Sequence, residues 1–158
     1  MKILVVYYSR TGTTKKVGEA IAKELRADHE AIVDLKKRSG IIGWFASGSD
    51  AYRRKLTRIR TRNKPEHYDM VIIGTPVWSK NMSPAVRTYL SNHNLSSKKV
   101  GFFCTAGGEN VERALEEMKK LAPKSVVAGT LSVCAKDFKS GVYEKKIASF
   151  VKSLRKSK

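Results

Sequence analysis

The chain is poor in cysteine, histidine and acidic residues, and each shortage narrows what it can be. Two cysteines among 158 residues, Cys104 and Cys134, are too few and too far apart for a disulfide framework or a thiolate zinc site. Both end apolar runs, which reads as reduced, packed thiols. His29, His67 and His93 are scattered without ligand spacing, so no metal centre is expected. No hydrolase triad or paired-carboxylate arrangement is present either. No apolar run approaches the ~20 residues of a membrane span. The sequence passes from Lys2 straight into an apolar strand, without the h-region and small-residue cleavage site of a secretory leader, so a cytoplasmic location is expected. Acidic residues number 14 against 32 basic ones, a formal charge of +18. Such a field favours a nucleic acid, an anionic surface or an acidic protein as partner, and says nothing about the fold.

What is present alternates. An apolar run over residues 3–8 leads through a polar turn into a helical pattern with Val17, Ile21 and Leu25 on one face. A short strand is predicted at 29–35, with Ala31, Ile32 and Val33 as its apolar part, followed by a turn at Lys36-Lys37-Arg38-Ser39-Gly40. Residues 70–74, 99–105 and 126–133 read as buried strands. Ser83-Pro84 caps and opens a helix whose inner face is Val86, Tyr89 and Leu90. Val111, Ala114, Leu115, Met118 and Leu121 pattern the next helix, and Ile147, Phe150, Val151 and Leu154 the closing one. Near-continuous apolar strands imply a parallel sheet covered on both faces. Right-handed crossovers then give an α/β fold, a three-layer α/β/α sandwich with five parallel strands in the order 2-1-3-4-5. One domain over residues 1–158 is expected, with an irregular basic segment at about 39–65. Gly40, Gly43 and Gly48 break that segment up, while Ala51, Tyr52, Leu56 and Ile59 have helical spacing with Ser49 or Asp50 as a cap.

In such folds ligands bind beyond the carboxyl ends of the strands. Three irregular loops fall there, at 9–14, 75–81 and 105–110. The first, Ser9-Arg10-Thr11-Gly12-Thr13-Thr14, joins a buried strand to a helix N-terminus. The first helical N–H groups lack partners and carry the positive end of the dipole, so the loop is suited to an anion such as a phosphate monoester. An ordinary strand–helix turn with a Ser/Thr cap is the plain alternative.

These loops resemble those of flavodoxins. Ser9-x-Thr11-Gly12-x-Thr14 is similar to the flavodoxin FMN phosphate loop. The run from Asp69 through Gly74-Thr75-Pro76-Val77-Trp78 resembles the third strand and the loop packed on the isoalloxazine ring. Lys99 through Thr105, followed by Gly107-Gly108, resembles the fourth strand and the second flavin loop. The resemblance covers nearly the whole chain outside 41–65 and implies FMN as cofactor. It implies that Ser9, Thr11, Gly12, Thr13 and Thr14 hold the phosphate, with Arg10 either adding charge or pointing into solvent. Pro76, Val77, Trp78, Ser79 and Asn81 would belong to the ring loop, with Trp78 either stacked on the ring or packed in the core. Thr105, Ala106, Gly107 and Gly108 would line the pyrimidine side. Tyr8 would lie near the flavin edge, and Glu109 is a weaker candidate for holding water there.

Three departures from the family pattern bear on function. No aromatic residue occurs from Ala106 to Leu121, so one ring face is either open or covered by Trp44, Phe45 or Tyr52. Flavodoxins often keep a glycine in this loop whose peptide flips to bond the reduced flavin N5, whereas residues 76–82 contain none, leaving Asn81 as the residue that most easily takes positive φ; against the family pattern, that absence implies a bias towards two-electron chemistry. Flavodoxins are typically acidic, and this chain is basic. The resemblance implies a redox protein carrying electrons to or from a protein partner, the basic surface selecting an acidic one such as a ferredoxin. The alternative is an FMN-dependent NAD(P)H:quinone or flavin reductase, which the glycine-free loop and an open ring face favour. In both cases the chemistry is on the flavin and no catalytic side chain is assigned. A basic scaffold for nucleic acid or an anionic surface is a third class, supported by the net charge, the Arg53–Lys64 cluster and the tail Lys152, Arg155, Lys156 and Lys158, but by no nucleic-acid motif.

Overall fold

A computed structural model describes residues 1–108 and 110–157. The elements run β1 (Ile3–Tyr7), α1 (Thr13–Leu25), β2 (Asp28–Ala31), β3 (Val33–Asp34), α2 (Gly40–Tyr52), β4 (Ile59–Arg60), a single 3-10 turn at Pro65–His67, and β5 (Met70–Trp78). They continue with β6 (Asn81–Met82), α3 (Pro84–Asn92), β7 (Lys99–Ala106), α4 (Glu112–Lys120), β8 (Val126–Cys134), α5 (Ala135–Ser140) and α6 (Val142–Lys156). The main sheet is parallel, β2-β1-β5-β7-β8, the predicted 2-1-3-4-5 order, with β6 as a short antiparallel addition to β5.

The apolar strands are buried on both faces because alternate side chains serve opposite layers. Leu4, Val6, Val71, Ile73 and Phe102 face Val86, Tyr89, Leu90 and Met118 of α3 and α4. Val5, Tyr7, Ile72, Phe103 and Val133 face Val17 and Ile21 of α1 and Ile147, Phe150 and Leu154 of α6. Ser83 caps α3, its Oγ accepting from Val86 N–H at 3.4 Å, with Pro84 as the first helical residue.

Four departures from the sequence reading concern the loops and the basic segment. The strand predicted at 29–35 breaks after Ala31. Ile32 N–H donates to the Tyr7 carbonyl at 2.7 Å, after which the chain leaves the main sheet and β3 pairs antiparallel with β4. Of the predicted apolar trio only Ile32 is buried.

The segment at 39–65 is more regular than expected. Its helix, α2, begins at Gly40, so Ser49 and Asp50 lie in its last turns rather than at its start, Leu56 lies outside it and Ile59 is in β4. Asp50 reaches across to Lys36 and Arg38 instead of back to a helix N–H. Gly43 is a packing requirement, not a breaker: a Cβ there would lie 2.7 Å from the Arg38 carbonyl oxygen.

The third departure is at β5, which continues to Trp78 and turns through Ser79 and Lys80 into β6. Those two residues take positive φ, 48° and 60°, as a tight hairpin requires; Asn81, expected there, is extended. The fourth is α5, unforeseen because its N-cap is Cys134. Cys134 N–H donates to Asp137 at 2.8 Å, a capping box without the usual Ser or Thr.

Candidate functional site

The loops after β1, β5 and β7 converge at the carboxyl edge of the sheet. The Thr14 and Thr105 hydroxyls lie 2.7 Å apart in the buried floor between them. Above this floor opens a cavity of about 740 Å³, bordered at one end by Thr11, Gly12 and Thr13 and at the other by Pro76, Val77 and Trp78.

The polar end is built from the backbone. Gly12 takes φ +94° at the start of α1, with nothing within 4 Å of where a Cβ would sit. Its N–H donates to Ser9 Oγ at 3.1 Å, which closes the loop. No side chain caps α1 and its first turn holds no acidic residue, so the first-turn N–H groups face the cavity mouth with the positive dipole end behind them. Arg10, Lys16 and Lys139 add positive charge to the walls.

The other end is flat and aromatic. Trp78 meets Tyr8 edge-on, centroids 5.6 Å apart, and the guanidiniums of Arg10 and Arg38 lie 5.4 and 5.8 Å from its ring centroid, within cation–π range. Arg38 is 5% exposed. Its Nε donates to Asp34 at 2.6 Å and its Nη1 to Asp50 at 3.1 Å, while Lys36 also binds Asp50 at 2.5 Å. Burial works against the Arg38 charge, but its hydrogen bonds and charge pairing with Asp34 and Asp50 outweigh that and raise its pKa. The Asp50 carboxyl is likewise penalised by burial, yet Lys36 and Arg38 hold it below its ordinary value. This cluster fixes the Arg38 side chain behind Trp78 and ties α2 to the strand that leads into it.

A second cavity, of about 500 Å³, lies between α2 and the β5–β6 hairpin. It shares Arg10, Trp44, Val77 and Trp78 with the first and adds Phe45 and Ser79. Trp44 and Trp78 thus border both spaces.

The structure brings together most of the expected residues. Arg10, Thr11, Gly12, Thr13, Thr14, Pro76, Val77, Trp78, Thr105, Ala106 and Gly107 line the larger cavity. Ser9 and Tyr8 face a neighbouring hollow, and Ser79 lines the second cavity. Asn81 is fully buried away from the cavities, its amide oxygen accepting from Met82 N–H and Arg87 at 2.9 Å each. Gly108 borders a small separate hollow with Val111 and Cys134. Glu109 lies outside the described residues. Of the aromatics named as possible covers, Trp44 and Phe45 reach the cavities, and Tyr52 is exposed elsewhere.

Cys104 is fully buried and its thiol is pushed up to about 12, chiefly by burial, which makes it a packing residue. Sequence reasoning missed Arg38, read as part of a turn, and Phe138 and Lys139, which come from the unforeseen α5. It also passed over Lys16, two residues beyond the loop and on the cavity side of α1.

A family model described as flavodoxin matches residues 2–137. A stretch of 90 residues is 32% identical to the NAD(P)H dehydrogenase (quinone) of Methylocella silvestris, covering 56% of this chain and 45% of that protein, so the match spans less than half of that relative. A Bacteroides eggerthii protein solved as a presumed flavoprotein superposes with a TM-score of 0.81 over 98% of each chain at 24% identity. A Lactobacillus acidophilus flavoprotein in complex with FMN superposes with a TM-score of 0.70 over 90% of this chain and 97% of its own, at 22% identity. Structural likeness at those identities shows a shared fold.

Proposed function

The chain belongs to the flavodoxin family, and from that premise we propose that it holds FMN across the three loops and works as an oxidoreductase passing reducing equivalents from NAD(P)H to small planar acceptors such as quinones. The observation that carries this reading is the pair of cavities meeting at Trp44, Val77 and Trp78. One suits a cofactor with an anionic handle and a flat ring, and the other is an apolar space beside the ring end. The second is sized and lined for a small planar acceptor.

The residues present fit FMN. The open left-handed Gly12, the uncapped α1 N-terminus and the hydroxyls of Thr11 and Thr13 supply donors for a phosphate monoester. Pro76, Val77 and Trp78 on one side and Ala106 and Gly107 on the other offer flat walls for a heteroaromatic ring. Bound FMN would supply the hydride chemistry; the protein supplies position and electrostatics. Arg10, Lys16 and Lys139 favour negative charge in the cavity. Phe45, Trp44 and Trp78 would orient a planar molecule by ring contact. The relative named NAD(P)H dehydrogenase (quinone) supports the same choice of reaction.

The test is direct. Protein purified without added flavin should absorb at flavin wavelengths and release FMN, not FAD, on denaturation. NADH or NADPH should bleach it anaerobically and benzoquinone should restore the colour. Bleaching by neither nucleotide at useful rates, with rapid exchange with a ferredoxin, would replace this reading with that of an electron carrier. The +18 charge favours that second reading, because an acidic redox partner would be steered to it; its transfer rate should then fall steeply with ionic strength.

A further inference from the structure

Helix α2 presents an outer side that the cavities absorb only in part, through Trp44 and Phe45. Ile41, Ile42 and Phe45 are 78%, 87% and 64% exposed, and Trp44 and Tyr52 on the same outer side are also exposed. At 3.6 residues per turn, positions 41, 45 and 52 fall on one stripe, with 42 and 44 beside it. No charged residue occurs from Gly40 to Ser49, and Asp50 is buried and ion-paired. Lys37 precedes the helix and Arg53, Arg54 and Lys55 follow it, all exposed. An apolar stripe containing Trp, Phe and Ile between basic flanks is the composition of a helix lying in a membrane interface.

We propose that α2 docks the protein on an anionic bilayer surface, with Ile41, Ile42 and Phe45 inserted among the acyl chains and Lys37, Arg53 and neighbouring cations on the headgroups. Charge complementarity selects this occupant: the chain carries +18, and juxtamembrane cations each strengthen binding to anionic lipid. A second copy is disfavoured because face-to-face packing would bring both basic flanks together. An acidic protein satisfies the charge, but the stripe protrudes from a convex helix and a bilayer accepts protruding side chains without a matching groove. No described helix is long and apolar enough to cross a membrane, so the association is peripheral. Trp44 belongs both to this side of α2 and to the two cavities, so docking would turn the acceptor cavity towards apolar molecules dissolved in the bilayer. That last consequence rests on the reductase reading; the docking does not.

The experiment is flotation of the full chain with vesicles of phosphatidylcholine alone or with roughly a third phosphatidylglycerol, read together with tryptophan emission. Binding to the anionic vesicles only, with a blue shift that Trp44→Phe removes, is expected. Ile42→Ser/Phe45→Ser should lower partitioning about tenfold or more, since exposed apolar area is what inserts, and Lys37→Gln/Arg53→Gln should lower it by about the same factor. All four positions are exposed, and unchanged far-ultraviolet circular dichroism will verify the fold. Binding that the Ile42/Phe45 pair leaves unchanged would overturn the proposal in favour of charge attraction alone. Failure to float with anionic vesicles would overturn it as well, and in that case self-association abolished by the same pair would identify a second copy as the occupant, and capture of an acidic protein abolished by it a protein partner.

Discussion

The hydroxyls of Thr14 and Thr105, 91 positions apart in sequence, lie 2.7 Å from each other in a buried contact, and they tie the loop that would hold a phosphate to the strand end that would border a flavin ring. One hydroxyl donates and the other accepts, so removing either strands its partner. Thr14→Val should cost about 1–3 kcal/mol, the penalty of an unsatisfied buried polar group, whereas Thr14→Val/Thr105→Val should cost less than the two singles added. Urea unfolding of the four proteins measures the coupling. Strict additivity would show that the two hydroxyls do not depend on each other.

Arg38 anchors the ring end. Arg38→Met leaves the buried Asp34 carboxylate without its cation and weakens the hold on Asp50, although Lys36 remains on the latter. Breaking a buried pair from one side costs about 3–5 kcal/mol, and the lower end is expected here. Because Trp78 would lose the guanidinium behind it, FMN affinity should fall together with stability. A loss under about 1 kcal/mol in chemical denaturation would show that the cluster is solvated rather than structural.

Asp137 gives a pH dependence of known sign. The Cys134 N–H and then Lys146 hold its carboxyl down at about 2, against an ordinary 3.8. The folded state therefore binds this proton more weakly than the unfolded one. The stabilisation is complete above about pH 3.8 and is lost as pH falls towards 2. Asp137→Asn should remove that part of the acid limb and, by loss of the cap, lower stability at neutral pH by about 1 kcal/mol. Parallel acid limbs in wild type and variant would contradict it.

Gly12 tests the loop without touching a side chain. At φ +94° an alanine is strained by about 1–2 kcal/mol, and although there is open space for its Cβ, that space is where a phosphate would approach. Gly12→Ala should weaken FMN binding about tenfold or more, beyond what its effect on stability explains. Equal FMN dissociation constants for the two proteins would place the phosphate elsewhere.

The parallel sheet and its order were legible because five apolar runs alternate with helical patterns, which leaves few topologies. The three loops were legible because they end strands. The hairpin at Ser79-Lys80 was not, since neither residue type favours the positive φ that both take where Trp78 pairs with Asn81. The buried role of Arg38 was hidden in a run of cations that reads as a solvated turn, and becomes visible only when Asp34 and Asp50 are brought to it by α2. That helix escaped because its glycines signal disorder locally, while the need for Gly43 comes from a backbone carbonyl five residues earlier. Asn81 was misplaced for the same reason as the hairpin: it takes positive φ more easily than its neighbours, but Ser79 and Lys80 make the turn and tertiary pairing buried Asn81 against Arg87.

The central claim is that the loop at residues 9–14 holds the phosphate of a flavin whose ring lies against Trp78, and titration of the apoprotein with FMN and with riboflavin tests it most directly. One FMN per chain should bind with quenching of flavin fluorescence. Riboflavin, which lacks the phosphate, should bind about a hundredfold or more weakly, because several charge-assisted hydrogen bonds are missing. Equal affinity for the two would contradict the account.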